Sequence, residues 1–330
     1  MPGRYNHDVD LVYRRGLHLP ELDLWLDPQL GRDAAFISHA HADHVRRHRR
    51  TLSTEPTRLL LEHMRMTGLC CTPLPLRTRT PFGAGFLTLL PAGHVLGSAQ
   101  ALVELKDCRL LYSGDLKLRP GLTAEPAETV PADVLVVEST YGRPQYRFPP
   151  EEEVFGRLEA FCRETLRCGE TPAVLAYSLG KSQEVLAALG TAGLPVALHP
   201  SIAAICAIYE RCGVPLPPYD VYVAGDAGGR VLLLPPQARR SAAFAALGRV
   251  RTACVTGWAL DRGAVYRLKC DVALPLSDHA GYDDLLEYVE RVGPARVYTV
   301  HGFAAELARD LRARGYDAYA LTQPDQLALF

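Results

Sequence analysis

Histidine and aspartate crowd one short stretch of this chain, Ile37-Ser38-His39-Ala40-His41-Ala42-Asp43-His44. The pattern H-x-H-x-D-H offers imidazole nitrogens and a carboxylate at a spacing suited to a borderline ion such as zinc. On an extended strand end, residues two apart point the same way, so His39 and His41 can grip one ion. A turn into a helix then lets Asp43 and His44 face a second ion. A polar loop with ordinary histidines is the plainer reading. Three histidines and one aspartate within six positions, with partners downstream, weigh against it.

Those partners share a local style. Gly93-His94-Val95-Leu96-Gly97 sets a histidine between glycines, which allow close backbone approach; a lone histidine is usually structural, but after an H-x-H-x-D-H run His94 is a good candidate for the third ligand of the first ion. Leu110-Leu111-Tyr112-Ser113-Gly114-Asp115 is an apolar run ending in a carboxylate whose two oxygens could each serve one ion. Val134-Leu135-Val136-Val137-Glu138 repeats the design. Asp27, upstream of the histidine run, is either a turn aspartate before Pro28 or a residue that orients a ligating histidine through a hydrogen bond. Arg46 and Arg47 could hold phosphates, although a solvated charged face is the commoner use of such a run. Ser178, Lys181 and Ser182 lie in a Gly-Lys-Ser turn opening a helix. That turn could bind phosphate or serve as an N-cap, but it is no P-loop, because position 175 is Leu rather than Gly.

These side chains need strands to deliver them. The fully apolar run 134–137 predicts a strand buried on both faces, and alternation in 22–27 predicts a half-buried one. A helix is expected around 59–66, and another from Glu151, where Pro150 and three glutamates mark a start. Strands are expected at 173–177, 196–199, 253–260 and 296–300, with helices through Leu189, over 202–212 and from near Tyr282. With 330 residues, 48% hydrophobic and 22% charged, the chain suits a soluble two-lobed protein. Its net charge of −1 gives no global basic field, so nucleic-acid binding would rest on a local patch or on metals. Nine cysteines without a C-x-x-C pair, and an N-terminus without an apolar leader, point to free thiols in the cytoplasm. No apolar run is long enough to cross a bilayer.

Taken together, the motifs at 37–44, 92–100, 113–117, 138–150, 178–186, 277–279 and 300–302 resemble the bacterial ligase-associated DNA exonuclease family. That resemblance implies an α/β protein, a metallo-β-lactamase αββα sandwich with an inserted β-CASP-type α/β lobe. The sandwich would comprise 1–145 and 265–322, the insert 146–264, and a tail 323–330. It implies two divalent ions, zinc or manganese. His39, His41 and His94 would hold one, Asp43, His44 and His301 the other, and Asp115 would bridge them. Asp27 would support the ligands, and Glu138 with His279 would assist the leaving group. Two ions can clamp a phosphodiester and acidify water to a pKa of about 7, giving hydroxide that attacks phosphorus in line. His279, held by Glu138, would protonate the departing oxygen.

The implied function is a DNA exonuclease in repair, with 5′ polarity favoured weakly and a DNA ligase and helicase as functional partners. One departure leaves RNA open as a substrate: DNA-acting relatives tend to carry valine at the position of His301. The insert is also short for its kind, which implies an open or differently shaped substrate groove. A β-CASP ribonuclease is therefore one alternative, and a non-catalytic nucleic-acid or clamp-binding adaptor is another. A small-molecule hydrolase would need neither the insert nor the Glu138–His279 pair. The tail Gln326-Leu327-Ala328-Leu329-Phe330 resembles the pentapeptide by which repair proteins hook the sliding clamp.

Overall fold

A computed structural model describes residues 11–66, 70–225 and 227–321. The chain forms two compact units. The first contains residues 1–120, 124–144 and 279–330; the second contains 121–123 and 145–278.

The first unit holds two sheets. One has six strands in the order Val12–Tyr13, Leu17–Leu19, Leu24–Leu26, Ala34–Phe36, Arg50–Ser53 and Cys70–Pro73. The other has seven, in the order Asp317–Ala320, Arg296–Val300, Val134–Glu138, Arg109–Tyr112, Ala99–Glu104, Gly85–Pro91 and Thr80–Phe82. Its first four strands run parallel and its last four pair antiparallel. Side chains alternate across a strand, so the seven-stranded sheet builds two cores. Leu110, Tyr112, Val134 and Val136 meet Leu24, Leu26, Phe36 and Leu52 of the other sheet. Leu111, Leu135 and Val137 face away, toward helices Tyr282–Val292 and Ala304–Ala313. Those helices reply at i, i+3, i+4 and i+7, through Leu285, Tyr288, Val289 and Val292 and through Ala304, Leu307, Ala308 and Leu311. The double burial expected of 134–137 follows from this position.

The second unit is a six-stranded, all-parallel sheet. Its strand order is Asp220–Val221, Val196–Leu198, Val231–Leu234, Thr171–Leu175, Val250–Val255 and Val272–Leu274. Helices Glu151–Arg167, Lys181–Thr191 and Pro200–Arg211 cover one face through Val154, Leu158, Val185, Leu189, Ile202 and Cys206. The other face packs against Phe244, Leu247 and Leu268.

Several expectations need correction. The helix foreseen at 59–66 is Glu55–His63, because the Thr54 hydroxyl caps the Thr57 N–H and proline stands at the helix start. The strand foreseen at 253–260 is Val250–Val255, followed by a 3-10 turn over Gly257–Leu260. No helix follows His44; residues 42–44 form a turn closed by the His44 N–H on the His41 carbonyl. Only residues 45–49 separate that turn from strand Arg50–Ser53, too few for a helix and a return. All nine cysteines are free thiols. Among the described residues, no helix is long and apolar enough to cross a membrane.

The Gly-Lys-Ser turn is also not the phosphate cradle envisaged. Lys181 is 2% exposed, and its ammonium pairs with Asp278 at 2.8 Å within the second unit. Ser182 Oγ donates to the Tyr177 carbonyl at 2.7 Å, and the Ser178 carbonyl accepts from Gln183 Nε2 at 3.0 Å. These groups close the turn on itself. Removing one partner of a buried ion pair leaves an uncompensated charge, so Lys181→Met is expected to lower unfolding stability by about 3–5 kcal/mol. Urea unfolding measures this. An unchanged midpoint with weakened nucleic-acid affinity would instead return Lys181 to the role the sequence suggested.

Candidate metal centre

The histidines and acids sit at strand ends because their neighbours pin those ends together. Strand Ala34–Phe36 is followed by His39, His41 and His44, and strand Gly85–Pro91 by His94. Strand Arg109–Tyr112 is followed by Asp115, Glu138 closes Val134–Glu138, and His301 follows Arg296–Val300. Backbone bonds cross between the loops. The Ala99 N–H donates to the Ser38 carbonyl, Ser113 to Val136, and Lys117 to Ala92, each at 2.9 Å. Gly93 makes the closest approach; a Cβ there would stand 2.1 Å from the Lys117 carbonyl oxygen, and its φ is +79°. Only glycine fits both demands. His301 holds φ +62°, a strained setting for a side-chain residue, of the kind that clusters at functional sites.

Asp115 Oδ2 is the meeting point. It lies 3.4 Å from His39 Nε2, 3.4 Å from His44 Nε2, 3.7 Å from His94 Nε2 and 3.9 Å from His279 Nδ1. His41 Nδ1 stands 2.9 Å from His94 Nε2. One ligand atom each from His39, His41, His94 and Asp115 all fall within 4.8 Å of one another. A tetrahedral zinc with bonds near 2.0–2.1 Å has ligand–ligand edges of about 3.4 Å, so these spacings are of the right size. His39 Nε2 is buried and has no hydrogen-bond partner among the described residues, which a cation among these four groups would supply. The donor set therefore fits a divalent metal ion.

The charges are consistent with this. Burial pushes the Asp115 carboxyl up, but the facing His44, His39 and His279 outweigh it and hold the group well below the usual carboxylate range. Burial, reinforced by His44, pushes His39 well below its ordinary value, so it stays neutral as a metal ligand must. Burial opposes charge on His44 too, but Asp115 and Asp27 on either side lift it well above its ordinary value. The pull that His44 feels toward protons is one a divalent cation would share.

Around these groups lies a layer of support. Asp27 Oδ1 accepts from the Ser38 N–H at 2.8 Å. Its Oδ2 accepts from Ser38 Oγ at 2.5 Å and the Tyr112 hydroxyl at 2.8 Å, and lies 3.0 Å from His44 Nδ1. With Nδ1 of His44 on Asp27, its Nε2 faces Asp115. Burial and Asp27 push the Tyr112 phenol well above its ordinary value, so it keeps the proton it donates. Neither Ser38 nor Tyr112 stood out in the sequence, though each lies close to a residue that did. His279 Nδ1 lies 3.1 Å from both oxygens of the fully buried Glu138, which also accepts from the Leu116 N–H.

The second expected ligand group is looser. The His44 and His301 rings are 5.1 Å apart, and burial together with His44 lowers His301. Asp43, however, is 79% exposed and comes no nearer His44 Nε2 than 3.9 Å. Arg46 and Arg47 are exposed and cap carbonyls, those of Ala42 and Val45 and that of Arg65. The tail residues Gln326, Leu327, Leu329 and Phe330 lie outside the described residues.

Known proteins add the following. Residues 265–321 match the family model described as the Zn-dependent metallo-hydrolase RNA specificity domain. A protein of Opitutus terrae named "Probable DNA ligase" is 44% identical over 97% of this chain. "RNase aCSPSF2" of Saccharolobus solfataricus is 27% identical over 59% of it. The chain spans only 32% of the length of the first relative and 46% of the second. A crystal structure of a protein of unknown function from Enterococcus faecalis shares the fold, with a TM-score of 0.56 at 17% identity, over 90% of this chain and 80% of that one. Likeness of this extent, added to the two-sheet sandwich and its histidine-lined strand ends, supports a fold and a metal centre of the metallo-β-lactamase/β-CASP kind.

Proposed function

We propose that this chain is a metal-dependent nuclease that hydrolyses the phosphodiester bonds of DNA as an exonuclease. The observation that carries the reading is the buried Asp115 carboxylate, ringed by His39, His44 and His94 and flanked by the Glu138–His279 pair. In this reading His39, His41 and His94 hold one ion, Asp43, His44 and His301 a second, and Asp115 both. The bound ions supply Lewis-acid polarisation of a phosphoryl oxygen and acidify water. Asp27 fixes the ring of His44, so the site needs no reorganisation when substrate arrives. Glu138 holds Nδ1 of His279, which leaves Nε2 as the atom that gives a proton to the departing sugar oxygen. In this reading the β-CASP-type insert is the second unit, residues 145–278 with 121–123, and the sandwich resumes at His279 instead of at the expected 265. Free thiols suit a cytoplasmic enzyme.

Support for DNA comes from the relative that aligns with nearly the whole chain and carries a ligase name. It favours action beside a ligase. A ribonuclease reading has its own support, because the matched family model, spanning 265–321 and therefore His301, is described by RNA specificity.

Matched end-labelled DNA and RNA strands, incubated with zinc or manganese, separate the two. Digestion of DNA from one end is expected, with RNA slower by about tenfold or more, and Asp115→Ala should abolish turnover together with metal binding. RNA cut faster than DNA would overturn the DNA assignment, and undiminished turnover in Asp115→Ala would remove the metal-site reading.

His279→Ala and Glu138→Gln are each expected to slow turnover about 10²–10⁴-fold with the metal content kept. Atomic absorption on the purified variants is the check. Loss of metal in His279→Ala would make that residue a ligand instead of the acid.

Clamp binding by Gln326–Phe330 rests on the motif alone. A synthetic peptide of residues 322–330 should bind a bacterial sliding clamp by surface plasmon resonance, and silence at high micromolar concentration would end that idea.

A further inference from the structure

We propose that the second unit carries its own nucleotide-binding crevice, at the carboxyl edge of its parallel sheet. The topology selects the place. Strands Thr171–Leu175 and Val250–Val255 are neighbours, yet the chain leaves them in opposite directions. From Leu175 it runs through helix Lys181–Thr191 to Val196–Leu198, and that helix packs on the face bearing Val174. From Val255 it runs through Gly257–Leu260 and Ala264–Leu268 to Val272–Leu274, with Leu268 on the opposite face beside Leu175. Adjacent parallel strands whose connections diverge leave a crevice beyond their carboxyl ends, where α/β sheets bind ligands. A cavity of about 530 Å³ lies there, lined by Leu175, Val255 and Thr256. That volume suits one nucleotide.

The lining chemistry names the ligand. Arg239, Arg240, Arg267 and Lys269 line the cavity, and no acidic residue does. Arg239 and Arg267 are held in place. Arg239 donates to the carbonyls of Leu268 and Lys269, and Arg267 donates to the Trp258 carbonyl at 3.2 Å and pairs with Asp261 at 2.8 Å. Arg240 and Lys269 are exposed, and neither pairs with an acid among the described residues. Aromatic faces stand beside the charges. Tyr177 lines the cavity at 57% exposure with the half-buried Trp258, and Tyr266 is 87% exposed on the same short helix as Arg267. Cations for a phosphate and flat rings for a base are the pairing by which proteins hold unstacked nucleotides. The ligand class is therefore a nucleoside 5′-phosphate unit, free or within a single strand.

The inference rests on the nucleic-acid reading above, but its test reads binding rather than turnover, so each can fail alone. Trp25 and Trp258 are the only tryptophans, and Trp25→Phe leaves Trp258 as the reporter. Its fluorescence would be titrated with thymidine 5′-monophosphate, thymidine, inorganic phosphate and a short oligothymidylate. Saturable quenching by the monophosphate or the oligomer is expected, weaker by about tenfold for thymidine or phosphate alone. A tighter oligomer points to strand binding, an equal or tighter monophosphate to a free nucleotide. Arg240→Glu with Lys269→Glu should raise the Kd for either about tenfold or more. Should Trp25→Phe fold poorly, anisotropy of a labelled oligothymidylate on the intact chain and the charge-reversed variant reads the same change. Absence of saturable quenching up to about 10 mM, or affinity untouched by charge reversal, would overturn the proposal.

Discussion

A carboxylate sunk in protein must be matched by positive or proton-donating groups, or it will not stay ionised. Asp115 meets that demand with rings drawn from separate loops: His39 and His44 from one, His94 from another, and His279 from the approach to helix Tyr282–Val292. None of these loops could relax away without leaving charge or an imidazole nitrogen unmatched in a largely buried site. The convergence is thus held by electrostatics as well as by the strands beneath it. The same demand explains Asp27, whose carboxylate gathers Ser38, Tyr112 and His44 and so carries the constraint down into the sheet sandwich.

The sheets make such a site possible by being indifferent to it. Alternation along Leu110–Tyr112 and Val134–Val137 serves two cores at once, and the polar residues begin only where the strands end. Strand ends are where backbone direction can change without loss of ladder bonds. Glycine at Gly93 and a left-handed His301 then turn side chains that a regular strand would scatter to alternate faces. Chemistry and packing occupy different residues of the same elements, so a ligand can change without emptying the core.

How much of this could be read from the chain alone follows from which interactions are local. Apolar runs ending in acids or histidines announce strand-end groups, and the fold brings His39, His41, His94 and Asp115 to one place. Helix starts with a cap in the sequence, such as Thr54 before Glu55, are legible in kind, but the apolar pattern sets in several residues after the cap and so marks the start too late. Lys181 misled for a different reason. A Gly-Lys-Ser turn looks the same whether its lysine faces solvent or a buried aspartate, and Asp278 lies far along the chain. Ser38 and Tyr112 were invisible because their role consists of bonds to Asp27, at sequence distances of 11 and 85. The exposure of Asp43 depends on how residues 42–44 turn, which a motif spacing does not encode.

With a net charge of −1, the chain as a whole cannot draw in a polyanion, and any attraction must be local. Basic residues earn a place in such a protein only where acids do not shadow them. Many arginines here are shadowed: Arg58 is bound to Glu55 and Glu62, Arg77 to Glu125 and Glu128, Arg167 to Glu164. Against that background the cavity edge around Arg240 and Lys269 stands apart, as no acid is among the residues that line it and Asp261 is engaged by Arg267. Pairing cations elsewhere while leaving these open concentrates the positive potential at a carboxyl sheet edge, where parallel topology has already opened a crevice. Because so few charges take part, binding there would involve few phosphates and weaken only gently with salt. Discrimination between ligands would then fall to the aromatic rings rather than to long-range attraction.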